Sequence, residues 1–241
     1  MSLSIVILGV FVADTTYRAD RQPVMGETIL GNSFALGPGG KGSNQAVASA
    51  MAGGKTHFIS KLGRDPFGDM ALATWKKAGV IPAITQHDDS YTGAAYIFVE
   101  EATGNNAIIV APGVAGTISP ADVEAQADLI ASAAVFMTQL EQPMDAALHA
   151  LQIARAAGVT TILNPAPAAK LPAGMLALCD YATPNETETE ALTGVRVITV
   201  ADAITAAAVL RDQGLGTSIH TRVKQDELFD VSHLRRHLPP R

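Results

Sequence analysis

The segment Gly37-Pro38-Gly39-Gly40-Lys41-Gly42-Ser43-Asn44-Gln45 gathers groups suited to an oxygen-rich ligand. Glycines let a backbone approach a ligand closely, and unpaired amides at a helix start bind the oxygens of a sugar or an anion. Lys41 adds a cation, and Asn44 adds both a donor and an acceptor. A second cluster, Thr183-Pro184-Asn185-Glu186-Thr187-Glu188-Thr189-Glu190, follows a strand-like run and leads into a helix. Carboxylates just past a parallel strand lie where such sheets bind ligands, and a hydrated Mg²⁺ suits acidic and amide groups of this kind. Glu186 and Glu190 share a helix face, where a solvated or dipole-favouring role is the plainer reading. Asp14 and Glu141 each follow an apolar strand-like run and can accept hydrogen bonds from hydroxyls. His57, His87 and His149 have no partners at ligand spacing, so a zinc site is not expected, and Cys179 reads as a small core residue.

Two better-known phosphate motifs fit less well. Gly37, Gly39 and Gly42 satisfy G-x-G-x-x-G with Asp65 further on, which would suit a nicotinamide-dependent oxidoreductase. That fingerprint belongs in the first strand-to-helix turn, where this chain has only Gly9, and Lys41 crowds the pyrophosphate position. A Walker A loop fails at both candidates: Gly42 stands where Gly40-Lys41 needs Ser or Thr, and Ser49 stands where Gly54-Lys55-Thr56 needs a glycine.

The elements that must position these groups alternate between strand and helix. Apolar runs at Ile5 to Ala13, His57 to Lys61, Val135 to Leu140, Thr160 to Asn164 and Tyr181 to Pro184 read as strands. Between them lie helical stretches at Ser43 to Ala52, from Asp65-Pro66 to Gly79, from Ser119-Pro120, at Pro143 to Ala157 and at Val200 to Gln213. This rhythm predicts an α/β fold, a doubly wound, mostly parallel sheet with helices on both faces. Gly93 to Glu101 and Ala107 to Ala111, around Thr103-Gly104-Asn105-Asn106, read instead as a hairpin. With Thr28 to Leu36 it predicts a small antiparallel flap over a site, so lid strands are expected near 28–36 and 93–111.

Composition narrows the partners. The 241 residues are 48% apolar and 17% charged, with a net charge of −6, which suits one compact core and offers no broad basic surface for nucleic acid or anionic membrane. The amino-terminal apolar run is far shorter than the about 20 residues a spanning helix needs. One cysteine excludes an internal disulfide framework and points to a cytoplasmic protein.

Together these residues resemble the ribokinase-like family of sugar kinases from about Leu3 to Ile219. The likeness rests on Gly9 to Asp14, Gly26-Glu27-Thr28, Gly39 to Gln45, Gly63-Arg64-Asp65 before Phe67-Gly68, Thr92-Gly93, Gln139-Leu140-Glu141, Asn164 to Ala168 and Thr183 to Glu186. It implies a doubly wound domain with a β lid, ATP as phosphoryl donor, Mg²⁺, and often an activating monovalent cation such as K⁺. By the same resemblance Asp14, Gly40, Lys41, Gly42, Asn44 and Glu141 bind a pentose, Asn185 serves the nucleotide and Glu188 the metal. The implied reaction is phosphorylation of D-ribose to D-ribose 5-phosphate, with a homodimer through the lid strands as the expected association. The family usually carries Asn two residues before the Asp; here Val12 stands there, so one sugar hydroxyl loses a partner.

The family continues with a Gly-x-Gly-Asp motif whose amides bind phosphate and whose Asp is the base, and none of these 241 residues spell it. No catalytic residue is therefore assigned, and the chain is expected to bind sugar without turnover, as a truncated kinase or a non-catalytic sugar binder. From His220 to Arg241 the composition changes, with three histidines, eight charged residues and neither Ala nor Gly. This stretch is expected to be an atypical tail unrelated to the core at 1–219. A shifted frame through Arg222 to Asp226 can spell Gly-Glu-Ala-Gly, close to the family's next loop.

Overall fold

The computed structural model describes residues 4–221, 228–230 and 236–238. The first strand, β1 (Ser4–Leu8), is apolar and becomes fully buried along its length, as a central strand covered on both faces must be. The chain then leaves the sheet at Gly9 and builds β2 (Val12–Ala19) and β3 (Ser33–Gly39) before α1 (Lys41–Met51). It returns as β4 (Lys55–Gly63), α2 (Pro66–Ala78) and β5 (Ile81–His87), then forms the hairpin β6 (Thr92–Glu100) and β7 (Asn106–Gly113). Two short helices, α3 (Pro120–Glu124) and α4 (Ala127–Ala131), precede β8 (Val135–Thr138), α5 (Met144–Ala156) and β9 (Thr160–Leu163). Then follow β10 (Tyr181–Ala182), α6 (Glu186–Thr193), α7 (Val200–Asp212) and β11 (Thr217–Thr221).

Seven strands form a parallel sheet in the order β11-β10-β9-β8-β1-β4-β5. The chain builds outward from β1 on one side through β4 and β5, then on the other through β8 to β11. The order therefore reverses beside β1, and the crevice at the carboxyl ends of β1 and β8 is where ligands of open α/β sheets bind. Among the described residues no helix is long and apolar enough to cross a membrane.

Two expectations from the sequence need correction. The run Ile5 to Ala13 is two strands, because it breaks after Leu8, and Asp14 lies inside β2 rather than beyond the first strand. The flap is mixed, in the order β3-β2-β6-β7: β2 pairs parallel with β6, while β3 and β7 are antiparallel to their neighbours. Strand β3 runs to Gly39 and takes in Gly37-Pro38-Gly39; it is an edge strand, where a proline is tolerated. Strand β11 continues through His220, which is 2% exposed. Most of the compositional tail lies outside the described residues; the backbone of Leu228–Asp230 and Arg236–Leu238 extends the sheet antiparallel from β11.

Side-chain chemistry joins the two sheets. Asp65 caps α2, accepting from the Gly68 amide at 2.8 Å, and its other oxygen accepts the Thr92 amide at 2.7 Å. Thr92 Oγ1 in turn accepts from the Gly63 amide at 2.9 Å, so one helix cap also fixes the strand that enters the lid. Below it, Trp75 is fully buried against the rings of Phe11 and Phe58, with centroids 5.9 and 5.1 Å away. Its Nε1 donates to Ser43 Oγ at 2.9 Å, which ties α2 to the first turn of α1.

Asp65→Ala removes the cap and strands the Thr92 amide, so urea unfolding should show a loss of about 2 to 4 kcal/mol. His220, held by Thr189 Oγ1 at 3.1 Å and Ser218 Oγ at 3.2 Å, has its pKa pushed down by burial to about 4. The unfolded chain binds that proton near the ordinary 6.5, so the contribution is full above 6.5 and is lost as pH falls from there toward 4. Urea midpoints at pH 7 and pH 5 should differ by less in His220→Gln than in the parent.

Candidate functional site

The site grows from the start of α1. Gly40, its N-cap, has φ +88°, and a Cβ there would meet the Val10 carbonyl oxygen at 2.4 Å, so both conformation and space demand glycine. Gly40 has no side chain with which to cap the helix. The Lys41 amide donates instead to Glu141 Oε2 at 2.7 Å, a contact between residues 100 apart in sequence. A carboxylate facing the positive end of a helix is favourably placed. Gly9 and Gly42 allow the approach: a Cβ on Gly9 would lie 2.8 Å from the Gly42 Cα.

The lid supplies the facing group. Asp14 on β2 stands opposite Gly37 of β3 and Ala95 of β6, and its carboxylate leans over Gly39. A Cβ added at Gly39 would lie 2.2 Å from Asp14 Oδ1. Lys41 and Asn44, three residues apart on one helix face, remain exposed at the same opening.

These groups share one electrostatic environment. Burial raises the Asp14 pKa, and the Lys41 cation opposes the rise. Burial raises Glu141 as well, the Lys41 amide and ammonium pull it down, and the Asp14 charge pushes it up. Glu188 is raised by burial and lowered by the Asn185 amide and again by Lys41. One lysine thus lies within reach of three carboxylates from the lid, the β8 end and α6.

Asn185 and Glu188 form a reciprocal cap at the start of α6. The Glu188 amide donates to Asn185 Oδ1 at 2.9 Å, while Asn185 donates its amide to Glu188 Oε2 at 2.9 Å and Nδ2 to Oε1 at 3.0 Å. Among the described residues no three His, Cys, Asp or Glu side chains group to hold a metal ion. Each Glu188 oxygen keeps a lone pair beyond its bond to Asn185. That donor set fits a hydrated Mg²⁺ held through its waters and does not fit an inner-sphere cage.

The structure therefore gathers Asp14, Lys41, Asn44 and Glu141 around the start of α1, where Gly40 and Gly42 are buried beneath them, and Asn185 and Glu188 lie within the field of Lys41. It takes Gly37 and Gly39 away from any dinucleotide turn, because both lie in a lid strand. Sequence reasoning gave no separate role to Gly39, whose lack of a side chain makes room for Asp14, and no signal within the glycine stretch marks it.

A doubly wound sheet, a β lid and a polar opening at the switch point define a small-molecule kinase fold. The pfkB family carbohydrate kinase profile matches residues 2–230, and the chain belongs to that family. A ribokinase of Staphylococcus aureus is 37% identical over 240 residues, covering 99% of this chain and 79% of that protein. The bifunctional ribokinase/ribose-5-phosphate isomerase A of Fructilactobacillus sanfranciscensis is 36% identical over 238 residues, and the chain spans 98% of its own length and 44% of that protein. The solved structure of Arabidopsis thaliana ribokinase complexed with ribose and ATP superposes with a TM-score of 0.90 at 25% identity, over 100% of this chain and 79% of that one.

Glu141→Gln keeps an acceptor for the Lys41 amide and removes a half-buried charge. Because the folded-state pKa of Glu141 is raised, the charged form costs stability at neutral pH, and that cost is relieved as pH falls through the folded value above 4.5. The urea midpoint of Glu141→Gln should exceed that of the parent at pH 7, and the gain should shrink on acidification.

Proposed function

We propose that the opening between the lid and α1 binds a pentose in the manner of a ribokinase, with D-ribose as the sugar and ATP as phosphoryl donor, for conversion to D-ribose 5-phosphate. The observation that carries this reading is the convergence of Asp14, leaning over Gly39, with the Glu141–Lys41 amide contact. Asp14 and Glu141 accept hydrogen bonds from sugar hydroxyls, while the Asn44 side chain and the Lys41 ammonium offer donors at the same opening. The lid sheet excludes water from the hydroxyls that it covers. The ribokinase relatives and the ribose and ATP complex in Arabidopsis support the assignment of both ligands.

Asn185 and Glu188 stand on the nucleotide side, holding a hydrated Mg²⁺ through its waters, and activation by K⁺ belongs to the same reading. ATP, when bound, supplies the phosphoryl group. Asp14 and Glu141 fix the pentose so that its primary hydroxyl faces that side. No base is assigned within these 241 residues, which contain no Gly-x-Gly-Asp. We expect these 241 residues by themselves to bind sugar without turnover.

Two further parts of the reading concern association and place. Tyr17, Phe34, Leu36 and Ile109 occupy one face of the lid and are 44%, 57%, 46% and 69% exposed, an apolar surface suited to pairing two lids in a homodimer. The lone, buried Cys179 suits a cytoplasmic chain.

Calorimetry with D-ribose and 2-deoxy-D-ribose tests the sugar assignment. We expect binding of a pentose, and the buried apolar Val12, on the Asp14 face of β2, makes the deoxy sugar the informative competitor. Gly39→Ala, whose added methyl displaces only the mobile end of Asp14, should keep the parent's melting temperature within a few degrees and weaken sugar binding at least about tenfold. Because both carboxylates must be ionised to accept hydroxyls and burial raises both, affinity should fall on acidification with a midpoint above 4.5. A folded chain that binds no pentose would overturn the reading.

A further inference from the structure

A row of side-chain amides crosses the carboxyl ends of three neighbouring strands behind the site. Gln139 Nε2, just beyond β8, donates to Gln45 Oε1 on α1. Gln45 Nε2 donates to Asn164 Oδ1 at 3.3 Å, at the end of β9. Asn164 Nδ2 donates to the Thr183 carbonyl at 3.1 Å and to Thr183 Oγ1 at 3.3 Å, beyond β10. Every donor points the same way, from β8 toward β10. The two middle side chains each use both ends of the amide, so neither can turn over without breaking bonds on both sides.

The row is anchored where it begins. Gln139 is fully buried, and its Oε1 has no partner among the described residues. That oxygen lies where a Cβ on Gly9 or Gly42 would be 2.4 or 2.7 Å away, so two glycines make the space that the side chain fills. Asn164 is fixed by its own backbone, whose N–H donates to the Thr138 carbonyl at 2.9 Å. Gln45 is the member that belongs to a helix, one residue beyond Asn44 and one turn beyond Lys41. Thr183 stands two residues before the Asn185 that caps α6.

We propose that Gln139, Gln45 and Asn164 are positioning residues that clamp the first turn of α1 to the sheet. They set the directions of the Lys41 amide and the Asn44 side chain and hold the sugar-facing helix in register with the start of α6. The proposal rests on the pentose reading for its consequence in binding, while the clamp itself is a property of the unliganded chain. A hydrogen-bonded amide row that starts at the buried Gln139 and runs through half-buried side chains holds direction well, because an unmade bond leaves a largely desolvated polar group unpaired.

The test uses Asn164→Leu, a change of similar size at a residue outside the sugar contacts, with Gln45→Met as the second variant. Amide hydrogen exchange is read at Lys41 and Asn44, and pentose affinity by calorimetry well below the melting temperature. In Asn164→Leu we expect exchange at Lys41 and Asn44 to speed up, and the pentose Kd to rise, each at least about tenfold. The double variant should be no worse than the more severe single one, because both cut the same row. Loss of melting temperature with unchanged exchange at Lys41 and Asn44 and unchanged Kd would overturn the proposal and leave the row a structural feature. If Asn164→Leu does not fold, the same readings on Gln45→Met decide. If the parent binds no pentose but exchange rises in the variants, the clamp stands and the pentose reading falls. If the parent binds and neither quantity moves, the clamp falls and the pentose reading stands.

Discussion

A carboxylate from the end of one strand serves as the cap of a helix that has none of its own. Glu141 accepts the Lys41 amide at 2.7 Å, and this bond decides where α1 begins and what its first turn faces. Gly40 can supply no cap, yet no other residue fits its positive φ and its approach to the Val10 carbonyl. The helix start is thereby left with polar groups that a partner from elsewhere must meet. Glu141 meets one of them and keeps a second oxygen for the opening. Its burial makes the charge costly at rest, and such local cost is common where a binding group must be ready before the ligand arrives.

The lid completes the opening through an equally local device. Asp14 can lean toward α1 only because Gly39 offers no side chain, and Gly39 lies opposite Val12 because β3 pairs with β2 out to its last residue. The parallel pairing of β2 with β6 makes the lid one sheet, and the Asp65–Thr92 bond ties that sheet to the main domain. Lys41 sits among the carboxylates of both parts. The electrostatics of the opening thus depend on the same contacts that hold the lid in place.

Much of this was legible in the residues. The capped helix from Asp65 to Gly79, the glycine stretch before α1, and the positions of Glu141 and Asn185 after strands all follow local rules of capping and strand ends. Asp14 was legible as a candidate but misplaced, because an unbroken apolar run hides the turn at Gly9 that sends β2 into another sheet. Local alternation carries no record of which strands pair, so an antiparallel flap was the natural expectation where a mixed sheet stands. The edge strand β5, half exposed and carrying Pro82, gave little periodic signal. The amide row from Gln139 to Thr183 was hidden for a plainer reason: its bonds join residues 94 and 119 apart in sequence. His220, in a stretch that looked foreign by composition, is buried in β11 because one favourable environment outweighs the character of its neighbours.

The central claim is that the lid and the helix start act on one ligand. Carbon-13 spectra of the chain labelled at aspartate and glutamate side chains, recorded during titration with D-ribose, address it directly. The carboxyl carbons of Asp14 and Glu141 should move together along one saturating curve with a single dissociation constant. Movement of one without the other, or two unrelated curves, would show that the two carboxylates do not share a pocket and would contradict the account.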